Sequence, residues 1–237
     1  MSEDTSAAVE QSAVQPSSYV LVDYTLKVKD TDELVDTTVE EEARKAGVYD
    51  ASKTYEPRLV VVGKGTMLKA VEDELVGMKQ SEKKTFEIPP EKAFGTRDPA
   101  KVRTIPYRRL KDVEGPLRVG SIINIEGREG VIRSVGSGRV QVDFNHYLAG
   151  KTLVCNVEVK SILTDDVDKV KHLIHSRIPD VPVEKFEIKL APPELTIKIP
   201  EEALLLPGLQ VSKKALSKEL KEAVKGVERV VFLEEYV

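Results

Sequence analysis

The sequence predicts an α+β protein in three parts. They are an antiparallel sheet wrapped on one helix, a small β-domain inserted into that sheet, and a C-terminal αββαβ unit. Three observations lead there. Tyr19–Val28, "YVLVDYTLKV", alternates apolar and polar residues with the period of a half-buried strand. Met67, Leu68, Val71 and Leu75 recur at helical spacing. The strings "AFGTRDP" (Ala93–Pro99) and "DFNHYLAGKTLVCNVEV" (Asp143–Val159) read as pieces of one β-domain, yet the segment between them has strands and turns of its own. A domain inserted into another suggests two binding surfaces.

Residues 1–17 are acidic and Ser/Ala-rich, with neither the basic start nor the apolar stretch of a signal peptide, and are expected to be a disordered tail. After the first strand, "DTDEL" makes a turn. Thr38 with Glu41 fits a capping box and Gly47 a C-cap, which predicts a short helix over Val39–Ala46. Leu59–Val62 is a continuous apolar run, as in a strand buried on both faces. "GKGT" leads into the helix that starts at Met67 and ends at Gly77. Lys83–Ile88 is a strand closed by two prolines.

In the insertion, Pro106 suits the first turn of a short helix through Leu110. Ile122–Glu126, Gly130–Val135 and Arg139–Asp143 form a three-stranded meander turned by "GREG" and "GSG". Lys151–Ile162 returns to the first domain. From Thr164 the pattern changes: Val167, Val170, Ile174 and Ile178 make a helical stripe. Two strands, Phe186–Leu190 and Leu195–Ile199, flank "APPE". Ser212 caps a helix that Gly226 ends, and Val230–Leu233 is a last strand. The division expected is 18–96 with 143–163 as one discontinuous domain, 97–142 as the insert, and 164–237 as the C-terminal domain, which could fold alone or pair with a copy of itself.

The chain of 237 residues is 41% hydrophobic and 32% charged, which fits a soluble globular protein large enough for a real core. No apolar run approaches membrane-helix length. A single cysteine, Cys155, rules out an intrachain disulfide and points to a reducing compartment, so a cytoplasmic location is expected. A net charge of −4 argues against nucleic-acid binding by the whole molecule. Arg97–Val142 nevertheless holds ten Lys/Arg against five Asp/Glu, either an ordinary solvated surface or one that attracts acidic partners or RNA.

The usual catalytic motifs are absent. "GKGT" lacks the length and ending of a phosphate-binding loop, and no His/Cys cluster has zinc spacing. His172 and His175, three apart on a helix, read as surface residues. Cys155 reads as a core side chain, and His146 has no nucleophile motif beside it. What remains is an apolar set, Tyr24, Val35, Met67, Leu68, Val71 and Phe94, with Asp36 as its polar member. If the strands form one sheet curved around the helix, these residues converge. By periodicity alone the set reads better as plain core than as a binding concavity.

Three strings carry a family resemblance: "VDYTLKVKDTDELVDTT", "VVVGKGTMLKAVEDELVGMKQSEKKTFEIPPEKAFG" and "LAGKTLVCNVEV". In order and spacing they resemble the FKBP-type peptidyl-prolyl cis-trans isomerases. The insertion, with "DFNHYLAGKTL" behind it, resembles the SlyD branch and its insert-in-flap chaperone domain. The third unit makes the chain similar to the long archaeal FKBP-type chaperones. The resemblance implies a catalytic set of Tyr24, Asp36 and Phe94, and a substrate-binding set of Val35, Met67, Leu68, Val71 and Cys155. It implies no cofactor. SlyD's histidine-rich, nickel-binding tail is absent, so no metal is carried over.

The substitutions relative to the family pattern bear on the pocket. Val35, Val71, Cys155 and Phe94 stand where the family has aromatic residues, two of them Trp and Tyr, and only Tyr24 is kept. The resemblance therefore implies a wider, less aromatic pocket with weakened affinity for macrolide drugs. The expected function is isomerisation of X–Pro bonds in unfolded or nascent proteins, with the insert capturing clients. The alternative is a holdase, a peptide-binding module with little isomerase activity. Expected partners are unfolded or proline-containing polypeptides, and a homodimer through the C-terminal domain is possible; membranes are not expected, nor nucleic acid beyond the insert's basic surface.

Overall fold

The computed structural model describes residues 13–110 and 116–236. The strands are β1 (Tyr19–Val28), β2 (Leu34–Thr37), β3 (Arg58–Val61), β4 (Lys83–Ile88), β5 (Val102–Pro106), β6 (Ile122–Ile125), β7 (Arg128–Gly136), β8 (Arg139–Asp143), β9 (Leu153–Leu163), β10 (Glu187–Ala191), β11 (Glu194–Ile199) and β12 (Arg229–Glu234). The α-helices are α1 (Glu40–Lys45), α2 (Lys69–Leu75), α3 (Asp166–Arg177), α4 (Glu201–Leu204) and α5 (Leu209–Ala223). They form three sheets, in the orders β2-β1-β9-β4 with β3 paired to β1, β5-β8-β7-β6, and β10-β11-β12. The α+β class is the observed architecture, and the C-terminal part runs α3-β10-β11-α4-α5-β12, one short helix more than the expected αββαβ.

The chain folds as two compact units. Among the described residues, one holds 13–25, Asp36–Thr85 and 156–236; the other holds Leu26–Val35, 86–110 and 116–155. In the first, α3 and α5 pack on the three-stranded sheet, whose β10 and β11 are antiparallel and whose β11 and β12 are parallel. Val170, Ile174, Ile178, Leu195, Ile197, Leu216 and Leu220 are buried in its core, and Tyr19, Val61 and Leu163 from the first part of the fold belong to the same cluster. The C-terminal helices therefore share one apolar core with β1 and β3 instead of standing apart behind a linker. Asp165 caps α3 by accepting the N–H groups of Val167 and Asp168. Asp166 and Asp168 in its first turn and His175 and Arg177 in its last complement the helix dipole.

The second unit contains the insert. Its core is Leu110, Ile123, Ile132, Val140 and Val142, with Ile105, Leu117, Ile125 and Phe144 packed against it. Gly130 is required by close approach: a Cβ there would lie 2.6 Å from Val142 Cγ1 and 2.9 Å from Phe144 Cδ1. The β7–β8 register slips between Ile132 and Ser134, leaving Arg133 as the bulged residue. The bulge turns the Arg133 guanidinium onto Asp143, Nε and Nη2 both 3.2 Å from Oδ2. Arg97 donates to the same oxygen. Asp143 is 2% exposed, so these two guanidinium groups neutralise a buried carboxylate where the chain leaves the insert. Nearby, Gly150 N–H donates to Gly95 C=O at 2.8 Å, and Asn145 accepts Asp98 N–H at 2.9 Å. The inbound and outbound segments thus run side by side.

Several local expectations are corrected. Of the tail expected over residues 1–17, residues 1–12 lie outside the described residues. Val14, however, is buried, and its backbone exchanges hydrogen bonds with Gly77 and Met78. The meander gains a fourth strand, β5, which pairs with β8 from Val102↔Asp143 to Pro106↔Arg139. Thr38 does not cap α1: the N-cap is Val39, and the Thr38 hydroxyl serves the neighbouring strand instead. α5 begins at Leu209 after Gly208, so Ser212 lies inside its first turn and not at its cap.

Candidate functional site

β1 and β2 position the first pair of candidate residues. Tyr24 is buried on β1, and Asp36 is half-buried on β2. Thr37 and Thr38 fix the junction. Thr38 Oγ1 accepts Tyr24 N–H at 2.9 Å and donates to Asp23 Oδ1 at 3.0 Å. Thr37 Oγ1 donates to Tyr24 C=O at 2.9 Å and accepts Val39 N–H at 3.0 Å. With the backbone held this way, the Tyr24 hydroxyl donates to Asp36 Oδ2.

Asp36 has three further partners. Its Oδ1 accepts Lys53 Nζ at 2.8 Å and Thr37 N–H at 2.9 Å, and Arg58 Nη1 lies 3.8 Å from Oδ2. The Arg58 guanidinium also sits 5.3 Å from the centre of the Tyr24 ring. Burial raises the carboxyl's pKa, but the Lys53 and Tyr24 hydrogen bonds and the Lys53 and Arg58 charges outweigh it, so the net shift is downward. Arg58 is the first residue of β3, and Lys53 comes from the segment between α1 and β3. That segment is braced by the Tyr49–Tyr55 stack, 5.5 Å between ring centres, and by Arg44 over Tyr49 at 3.7 Å.

Met67, Leu68 and Val71 lie together where the chain enters α2, with Leu68 as N-cap. Met67 and Leu68 are half-buried, and Val71 is fully buried. What holds this approach in place is Glu72, a buried carboxylate. It accepts N–H bonds from Gly63 at 2.8 Å, Gly65 at 3.2 Å and Met67 at 2.9 Å, and the Thr66 hydroxyl at 3.0 Å. Burial raises its pKa, and the backbone donors of Met67, Gly65 and Gly63 reverse that into a net lowering.

Val35, Phe94 and Cys155 belong to the second unit. Val35 is half-buried on β2. Phe94 follows the single turn at Pro90–Lys92 and stacks on His146, ring centres 4.7 Å apart and planes 2° from parallel. His146 in turn lies 5.0 Å from the Tyr147 ring. Cys155 is fully buried on β9, and burial pushes its thiol up to about 12. Thiolate, not thiol, is the nucleophile. Native protein at neutral pH should therefore resist iodoacetamide and react only after denaturation, as mass spectrometry would read; labelling of the folded chain would contradict this burial.

Tyr24 and Asp36 are thus joined directly, and Met67, Leu68 and Val71 share one segment. Lys53, Arg58, Glu72 and His146, which stacks on Phe94, were not legible as site residues. "GKGTMLKAVE" carries the glycines and the carboxylate, but nothing in the string says that Glu72 folds back onto its own approach loop.

A tyrosine donated to an ionised carboxylate, next to apolar side chains at a helix start, suits holding a peptide and altering its conformational preference. The chain matches the family described as FKBP-type peptidyl-prolyl cis-trans isomerase over residues 10–111, "FKBP26, IF domain" over 105–148, and "FKBP26_C-terminal" over 166–237. It is 35% identical over 149 residues to a short-type peptidyl-prolyl cis-trans isomerase of Methanocaldococcus jannaschii, 63% of this chain and 94% of that one. It is 34% identical over 155 residues to the FKBP-type 16 kDa isomerase of Escherichia coli, again 63% and 94%. It is 30% identical over 129 residues to the SlyD isomerase of Vibrio cholerae, covering 53% of this chain and 64% of that protein. The chain belongs to the FKBP-type peptidyl-prolyl cis-trans isomerases, and carries an insert and a C-terminal domain of its own.

Proposed function

We propose that the protein is a folding chaperone with isomerase activity: the insert captures unfolded or nascent chains, and the Tyr24–Asp36 site isomerises their X–Pro bonds. The observation that carries the catalytic part is the Tyr24 hydroxyl donated to Asp36, with Lys53 and Arg58 keeping that carboxylate charged.

The reaction is rotation about an amide whose resonance imposes a barrier of about 18–20 kcal/mol. The planar amide is more charge-separated than the twisted one. Moving it from water to an apolar surface removes solvation that favours planarity, so the twisted state is bound preferentially. In this reading Met67, Leu68 and Val71 supply the apolar surroundings. Asp36 orients the Tyr24 hydroxyl and polarises the site.

The capture role is supported by an insert with its own four-stranded sheet and its own core. Because the Gly95 carbonyl and Gly150 amide already bond each other, a short glycine linker can replace residues 97–144, which removes Asp143 and Phe144 together with their partners Arg97 and Arg133 and the insert core. The shortened protein should keep most of its rate on a proline tetrapeptide and lose most of its rate in a proline-limited refolding assay. Equal losses on both substrates would overturn the division of labour. A homodimer through the C-terminal domain would add avidity for extended clients, and light scattering of the full chain against a chain ending at Asp165 reads it.

A further inference from the structure

We infer that the insert is a docking surface selective for acidic polypeptide segments with apolar centres. This rests on the capture role proposed above and adds which clients it favours. A cavity of about 850 Å³ opens on the insert, and Ile105, Pro106, Leu110, Ile125 and Phe144 give it apolar surface. Lys101, Arg103, Arg108, Arg109 and Arg128 line the same cavity, against two carboxylates, Glu126 and Glu129. All seven charged residues are exposed.

None of these five cations has an ion pair or side-chain hydrogen bond among the described residues. Several cations elsewhere are matched, Lys53 and Arg58 by Asp36, Lys64 by Glu222, Arg177 by Glu219 and Lys213 by Glu234, whereas this cavity gathers five unmatched ones around a single apolar floor. A cleft whose lining carries a net charge of one sign over a low-dielectric wall, here five cations against two carboxylates, focuses its field and raises the local concentration of oppositely charged ligands. An extended segment with apolar side chains for the floor and Asp or Glu flanks for the rim satisfies both features. Each exposed pair contributes little alone, so the preference comes from several acting together.

Nucleic acid fits the same surface poorly. Phe144, partly buried, is the one aromatic ring in the lining, whereas single-strand binders stack successive bases on several exposed rings.

The test uses the full-length protein and fluorescence anisotropy. Three labelled peptides share one Leu/Phe-containing centre and carry Glu, Ser or Lys flanks, and a labelled single-stranded oligouridine is the fourth probe. The expected order is Glu above Ser above Lys, with the Glu-flanked peptide losing affinity as salt rises. The triple variant Arg103→Gln, Arg108→Gln, Arg109→Gln should bind the Glu-flanked peptide about tenfold more weakly and the Ser-flanked one within about twofold of the parent. Circular dichroism confirms the variant's fold, and the salt titration of the parent reads the same charge effect should the variant not fold. Equal affinity for Glu- and Lys-flanked peptides would overturn the selectivity while leaving capture intact. No binding of any peptide would overturn capture itself. Oligouridine bound more tightly than the Glu-flanked peptide would overturn the inference in favour of nucleic acid.

Discussion

Replacing Asp36 by Ala will lower kcat/KM on a proline tetrapeptide by about 10- to 100-fold, because the change strands several groups at once. The Tyr24 hydroxyl loses its acceptor, Lys53 loses its partner at 2.8 Å, and Arg58 loses the charge that draws it over the Tyr24 ring. Asp36→Asn keeps an acceptor for Tyr24 and removes only the charge, so it should recover part of the loss. The pH profile separates the two contributions further. Asp36 is held below its ordinary 3.8, so it stays ionised throughout the neutral and mildly acidic range. A carboxylate lowered on folding contributes stability that is present above its unfolded value and lost as pH falls through its folded value. The parent rate should accordingly be flat through the neutral and mildly acidic range and fall only as pH drops below the ordinary 3.8 of the carboxyl, while Asp36→Asn loses this acid limb. A parent-like kcat/KM in Asp36→Ala would remove the pair from the mechanism and leave desolvation by the apolar residues alone.

Glu72→Ala should destabilise the protein by about 2–4 kcal/mol by urea denaturation. One carboxylate satisfies three backbone N–H groups and one hydroxyl, and it is almost wholly buried. Water can replace it at the exposed Gly63, Gly65 and Thr66, but less easily at Met67, which is half-buried. The loss should therefore also loosen Met67 and Leu68 and reduce the tetrapeptide rate several-fold. Glu72→Gln fills the same volume but turns one acceptor into a donor facing N–H groups, so it should recover less than half of the stability. The sign of the pH effect matches that of Asp36: folding lowers the Glu72 pKa below 4.5. Its contribution is complete above that value and drains away in more acidic solution. The acid slope of stability should be shallower in Glu72→Ala than in the parent. An unchanged urea midpoint would show that the loop is held by other contacts.

Strand and helix placement followed closely from periodicity where one face is buried. Tyr19–Val28 and Lys83–Ile88 are strands with the bounds their alternation gives, and Val170, Ile174 and Ile178 are buried along one helical stripe. Periodicity failed where a residue's role depends on a partner outside its own element. Thr38 fits a helix cap by spacing, but Tyr24 N–H on the adjacent strand claims its hydroxyl. β5 was missed because "VRTIP" is short and ends in proline, and it becomes a strand by pairing with β8. Within the site, Tyr24 and Asp36 were named from the family pattern. Lys53 reaches Asp36 from 17 positions away through a segment with no repeating pattern to mark it.

The sequence by itself determined the class of fold, the order of its parts, the place of the insertion and the family, because these depend on which residues alternate, repeat and follow one another. Tertiary structure alone decided which polar groups meet. It gave Asp36 three side-chain partners from separate segments and folded Glu72 back over the loop before α2. It also merged the C-terminal helices with β1 and β3 in a single core. The physical reason is that burial leaves a periodic trace along the chain. A hydrogen bond or an ion pair leaves none, because its geometry depends on loops whose paths the surrounding packing sets.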